Sequence, residues 1–114
     1  MEPNKDIFLL KTIARYCNDI SAAVKRFTID EEKIENDSDL RALLAFFVQQ
    51  IGETASKLSD EFKESHPEIE WKAIIGFRNH IVHAYGKIIP EILWDTVQSN
   101  IPELKDFCNS ILED

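Results

Sequence analysis

Apolar residues recur three and four positions apart along most of the chain, the spacing that gathers them on one face of an α-helix. Between Pro3 or Asn4 and Arg26 the set is Ile7, Leu10, Ile13, Ala14, Cys17, Ile20, Ala23 and Val24, which predicts a first long helix. "TIDEEKIENDSD" is acidic and irregular; Asp30 suits the cap of a single helical turn, and Asn36 or Asp37 the cap of the next helix. A second long helix is expected from about Ser38 to Glu64, striped by Leu40, Leu43, Leu44, Phe47, Val48, Ile51, Ala55, Leu58 and Phe62. Gly52 falls inside it. A glycine there costs about 1 kcal/mol against alanine, and close packing of a neighbouring helix is the usual reason to keep one.

"SHPE" breaks the periodicity. Pro67 fits a first helical turn, with Ser65 and Glu68 at capping-box spacing. A third helix follows from about Glu68 to Ala84 or Tyr85, and Gly86 suits the position after its end. Pro90 opens a fourth, carrying Ile92, Leu93, Val97, Ile101, Leu104, Cys108, Ile111 and Leu112, and Pro102 should kink or divide it. Four long helices with short connections, and room for one short one, make an all-α, antiparallel up-and-down bundle, a single domain over residues 1–114.

Composition supports this. Three glycines and four prolines in 114 residues are too few for the tight turns of an all-β fold. Two cysteines, Cys17 and Cys108, do not make a secreted disulfide framework, so a reduced, cytoplasmic setting is expected. "MEPNKDIF" lacks a basic segment followed by an apolar one, and the longest apolar run, "ALLAFFV", is far short of the ~20 residues of a membrane span. The net charge of −8 repels generic nucleic acid at long range, so RNA or DNA would have to be met by a local basic patch or a partner.

Chemistry concentrates in "FRNHIVHAYG", Phe77 to Gly86. On one continuous helix at ~100° per residue, Arg78 joins the stripe of Ile74, Ile75 and Val82, Tyr85 returns to nearly that face, and Asn79 and His83 stack beside it. His80 points away. Arg78 and His83 still diverge by ~140° on an ideal helix, so a second copy across a two-fold axis could complete a site. These residue types suit phosphodiester cleavage without a metal. Histidine exchanges protons near neutral pH. Arginine offers a planar fork and a permanent charge to phosphate. Each residue also has a plainer reading. His83 would be favoured at a helix end by the macrodipole. Arg78 would pair with Glu53 or Glu61, Asn79 and His80 would be solvated surface, and Tyr85 would be a core-edge aromatic. A metal reading would draw on His80, His83 and His66, but no cysteine or carboxylate cluster accompanies them; neither metal nor cofactor is expected.

"RNHIVHAY" resembles the Arg-X4-His-X-Tyr signature of the HepT-like branch of the HEPN superfamily. "QQIGETASKLSDEF" is similar to that family's Ile-Gly-Glu helix, "HPEIEWKAIIGFRN" to its approach to the motif, and "NIPELKDFCNSIL" to its closing helix. The resemblance implies a small all-helical homodimer, the toxin of a toxin–antitoxin pair whose antitoxin is an MntA-like minimal nucleotidyltransferase. It implies metal-independent endoribonuclease activity on an RNA substrate, with Arg78 and His83 as the catalytic pair, Asn79 assisting, and paired sites near the dimer interface. It further implies that Tyr85 receives AMP from ATP and that the modification silences the toxin. Glu53 is a supporting candidate, anchoring Arg78 or shaping the site. Two alternatives stand beside this: a non-catalytic, nucleotide-binding partner of a nucleotidyltransferase, and a structural bundle whose polar motif closes a dimer interface.

Overall fold

The computed structural model describes residues 3–81 and 87–113, apart from the side chains of Pro3, Asn4, Arg78 and His80. Among these residues there are helices and no strand. They are α1 (Pro3–Arg26), α2 (Glu31–Asn36), α3 (Ser38–Ala55), α4 (Asp60–Ser65), α5 (Trp71–Ile75), α6 (Phe77–Ile81), α7 (Pro90–Asp95) and α8 (Ile101–Leu112), with a π-helical turn at Thr96–Asn100 between the last two.

The capping chemistry fixes several of these limits. The Asp30 carboxylate accepts from the Lys33 amide at 2.8 Å and starts α2. Asp37 accepts from the amides of Asp39 and Leu40, each at 3.1 Å, and starts α3. Arg41 reaches back to donate to the carbonyls of Ile34 and Glu35, satisfying acceptors that the end of α2 leaves open. α1 closes with Thr28 in a left-handed conformation (φ 49°), while the Ile29 amide bonds the Val24 carbonyl at 2.9 Å.

α1 runs antiparallel to both other long elements. The start of α1 meets the segment after α3, where the Asp6 carboxylate accepts from the Ser59 amide at 2.9 Å and its hydroxyl at 2.7 Å. Ile20 and Val24, late in α1, line one groove with Trp94, Val97 and Ile101 of the closing helix. The core between them is built from Leu10, Ile13, Cys17 and Ile20, from Leu44, Val48, Ile51 and Ala55, and from Leu93, Ile101, Leu104 and Cys108. Burial pushes both thiols up, each to about 12, and for Cys17 the neighbouring Cys108 adds to the rise.

Four expectations need correction. The helix expected over Ser38–Glu64 stops at Ala55. The amides of Lys57 and Leu58 bond the carbonyls of Thr54 and Ala55, tightening the last turn, and Ser59 then caps α4 by accepting from Phe62. The Ser65–Glu68 capping box does not form. Ser65 ends α4, its hydroxyl donating to the Glu61 carbonyl, and the next helix begins only at Trp71. The Trp71 indole donates to the His66 carbonyl at 3.0 Å, and its ring packs on Phe62 and Phe107, which ties down the intervening turn. The third helix is divided at Gly76, so three long elements are seen where four were expected. Finally, Ile7 is exposed and its neighbour Asp6 is buried, because the Ser59 bonds draw the carboxylate inward.

Two expectations of local geometry are met. Gly52 allows α5 to approach α3: an added Cβ would lie 2.8 Å from the Ile74 carbonyl oxygen and 3.3 Å from that of Ile75. Pro102 divides the closing helix. It has no amide hydrogen to donate, and the Ile101 amide just before it bonds the Thr96 carbonyl five residues back.

Candidate functional site

The motif begins on α6, which packs on α3 and on α7. α6 is fixed by Phe77 and Ile81, four residues apart and both buried, so that the same face meets the core twice. Beyond it, the Ile89 amide donates to the Ile81 carbonyl at 2.7 Å, which brings the start of α7 back to the end of the motif helix. Arg78, Asn79 and His80 therefore sit on a short helix held at both ends. His83 and Tyr85 lie outside the described residues, as do the side chains of Arg78 and His80, and with them any pairing of Arg78 with Glu53 or Glu61. The helical wheel drawn through a continuous third helix does not carry across the break at Gly76.

Asn79 is exposed and lines a cleft of about 530 Å³ together with Glu70, Lys72, Ala73, Gly76, Phe77 and Asn100. That volume lies within the ~300–1,000 Å³ usual for small-molecule sites. The cleft opens where α5 gives way to α6. An added Cβ at Gly76 would lie 3.1 Å from the Lys72 carbonyl oxygen, so the turn between the two helices is too close for a side chain there. Lys72 supplies the cation, Asn79 and Asn100 supply amides that both donate and accept, and Glu70 supplies a carboxylate. Sequence reasoning missed Lys72, Glu70 and Asn100. Lys72 adjoins Trp71 in the approach to the motif and was within reach, whereas Asn100 comes from the π-helical turn and enters only through the fold.

Glu53 stands on α3, exposed, in a separate hollow with Gln49, Gln50 and Ile75. The α3 face toward α5 thus carries a carboxylate and two amides near the motif helix, one turn from the Gly52 contact. Among the described residues, no group of three or more His, Cys, Asp or Glu side chains is placed to hold a metal ion. Nor, among them, is any helix long and apolar enough to cross a membrane.

Comparison with known proteins places this arrangement. The family model described as "Ribonuclease HepT-like" matches residues 13–111. A protein of Caldanaerobacter subterraneus subsp. tengcongensis, provisionally named an RNase, is 30% identical over 104 residues, covering 91% of each chain. The "Probable ribonuclease HepT" of Thermococcus cleftensis is 40% identical over 55 residues, 48% of this chain and 50% of that one. A Methanocaldococcus jannaschii protein, also provisionally named an RNase, is 28% identical over 113 residues, covering 98% of this chain and 96% of its own. No solved structure matches the chain. With a match from the middle of α1 to the last turn of α8, the chain belongs to the HepT-like ribonuclease family.

Proposed function

We propose that the protein is a toxin that cleaves RNA without a metal ion, with Arg78 and His83 as its catalytic pair and Asn79 assisting. The observation that carries this reading is the family match over residues 13–111, which includes the whole of "RNHIVHAY". In the proposed step, His83 takes the proton of a ribose 2′-hydroxyl and the 2′-oxygen bonds to phosphorus. The 5′-oxygen leaves and recovers a proton. The products are a 2′,3′-cyclic phosphate and a 5′-hydroxyl end. Arg78 stabilises the negative charge that develops on the phosphoryl oxygens. Asn79 orients the histidine or the phosphate. Glu53, on the helix against which α6 packs, is the candidate carboxylate for holding Arg78.

The single domain works as a cytoplasmic homodimer, with the motifs of the two copies paired near the interface. Its regulator is an MntA-like nucleotidyltransferase. The Tyr85 phenol attacks the α-phosphorus of ATP, loses its proton, and displaces pyrophosphate. The bound AMP adds negative charge and bulk next to the motif and competes with substrate phosphate for Arg78.

A second reading, a non-catalytic nucleotide-binding partner of the transferase, fits the net charge of −8 equally well. Matched oligonucleotides separate the two. The protein, purified without its partner, should cut a ribose strand and spare the same strand with 2′-deoxyribose at the cut position. No cutting of any ribose strand across varied sequences would reject the enzyme. For Tyr85, intact mass after incubation with the active transferase and ATP should rise in the wild type and stay constant in Tyr85→Phe. An unchanged wild-type mass would reject the modification.

A further inference from the structure

The cleft between α5 and α6 adjoins the motif, since Asn79 forms part of its wall. Three features make it more than a surface dent. Among the described residues its one cation is Lys72, which is exposed and makes no ion pair with any of them, although the chain carries 21 acidic residues. The carboxamides of Asn79 and Asn100 likewise have no hydrogen-bond partner among the described residues, so their donors and acceptors are open to a ligand. Between these polar groups the cleft is lined by Ala73, Gly76 and Phe77, an apolar stretch that a flat group can lie against.

We propose that this cleft is the subsite that holds the RNA strand next to the cleavage position, with Lys72 on a backbone phosphate and Asn100 on a base edge. The assignment rests on the ribonuclease reading and deepens it. An ammonium binds phosphate as a point charge, and a carboxamide presents a donor and an acceptor side by side, the pattern a base edge offers in return. Glu70, on the same wall, repels a second phosphate. The strand therefore threads with one phosphate toward Lys72 and a base toward Asn100. A single local cation also meets the requirement set by the overall acidity, since long-range attraction is absent and affinity must come from short contacts. Lys72 and Asn100 are positioning residues; neither takes part in proton transfer.

The test uses the full chain and a labelled single-stranded RNA 12-mer of mixed sequence. In steady-state cleavage, Lys72→Ala should raise KM about five- to tenfold with kcat unchanged, and Lys72→Arg should restore most of the loss. Asn100→Ala should raise KM for some sequences more than others. In binding, the slope of log affinity against log salt should shrink by about 0.7 in Lys72→Ala, the loss of one phosphate contact to a single strand. Wild-type KM and salt slope in both alanine variants would overturn the subsite while leaving the ribonuclease reading intact. Should the wild type cleave nothing, the ribonuclease reading fails and the binding arm alone decides. Weakened RNA binding by Lys72→Ala would then support the subsite, and unchanged binding would overturn it.

Discussion

Replacing Gly52 with alanine sets two effects of opposite sign against each other. In an exposed helix interior the change should stabilise by about 1 kcal/mol, because alanine loses less backbone freedom on folding. Here the new Cβ would lie 2.8 Å from the Ile74 carbonyl oxygen and 3.3 Å from the Ile75 carbonyl oxygen. The first distance is well inside ordinary van der Waals contact, and the atoms it meets are backbone, which cannot swing aside. Relief requires α5 to move off α3, but α5 is pinned by buried Trp71 and Ile74 and by the Trp71 bond to His66. Overpacking of this kind costs about 1–3 kcal/mol and occasionally more. The 2.8 Å contact is with backbone, which puts the cost in the upper part of that range, about 2–3 kcal/mol, so with the propensity gain subtracted the net should be a loss of about 1–2 kcal/mol. Urea unfolding followed by circular dichroism measures it directly: with a slope of about 1–2 kcal/mol/M, the midpoint should fall by roughly 1 M. Because α5 leads through Gly76 into α6, RNA cleavage should weaken as well. A Gly52→Ala protein as stable as the wild type, or more so, would refute the close-approach reasoning.

Other perturbations probe separate parts of the structure. Asp6→Ala should destabilise by about 2–3 kcal/mol in the same unfolding assay, since it removes a buried carboxylate that accepts from both the Ser59 amide and its hydroxyl. Thr28→Gly should stabilise by about 1 kcal/mol, because threonine at φ 49° bears a steric strain that glycine escapes. The raised thiol values set a pH window. Both thiols hold their protons more tightly when folded, so their contribution is fully present below the ordinary value of 9.0 and is lost as pH rises toward about 12. The loss approaches about 1.4 kcal/mol per pH unit for each thiol. The difference in stability between wild type and Cys17→Ala/Cys108→Ala should therefore be flat from pH 7 to 9 and fall above it. A flat difference up to pH 11 would count against buried neutral thiols.

Much of the helical framework was legible because its signals are local. The periodic stripe of α1, the caps Asp30 and Asp37, Pro90 at a helix start and Pro102 as a divider all act within a turn or two of sequence. The breaks were not legible where they depend on distant partners. Apolar spacing continues through Leu58 and Phe62, yet the chain turns there because Asp6, 53 residues earlier, takes the Ser59 hydrogen bonds. Trp71 likewise holds the turn before α5 through His66, Phe62 and Phe107, the last of which comes from α8. The same division applies to the site. The motif residues were visible because five polar or aromatic residues crowd into eight positions. The cleft beside them was invisible because Asn100 reaches it only after the closing helix has packed.

The central claim, that Arg78 and His83 catalyse RNA cleavage without a metal, is tested most directly by one rate comparison in excess chelator. Wild type, Arg78→Ala and His83→Ala are each purified alone and given the same RNA. Proton transfer by a positioned side chain contributes typically ~10²–10⁴-fold. The expected result is steady cleavage by the wild type and a loss of at least about a hundredfold in each variant, with folded circular dichroism spectra throughout. Wild-type rates in His83→Ala, or cleavage that disappears with chelator and returns with a divalent cation, would contradict it.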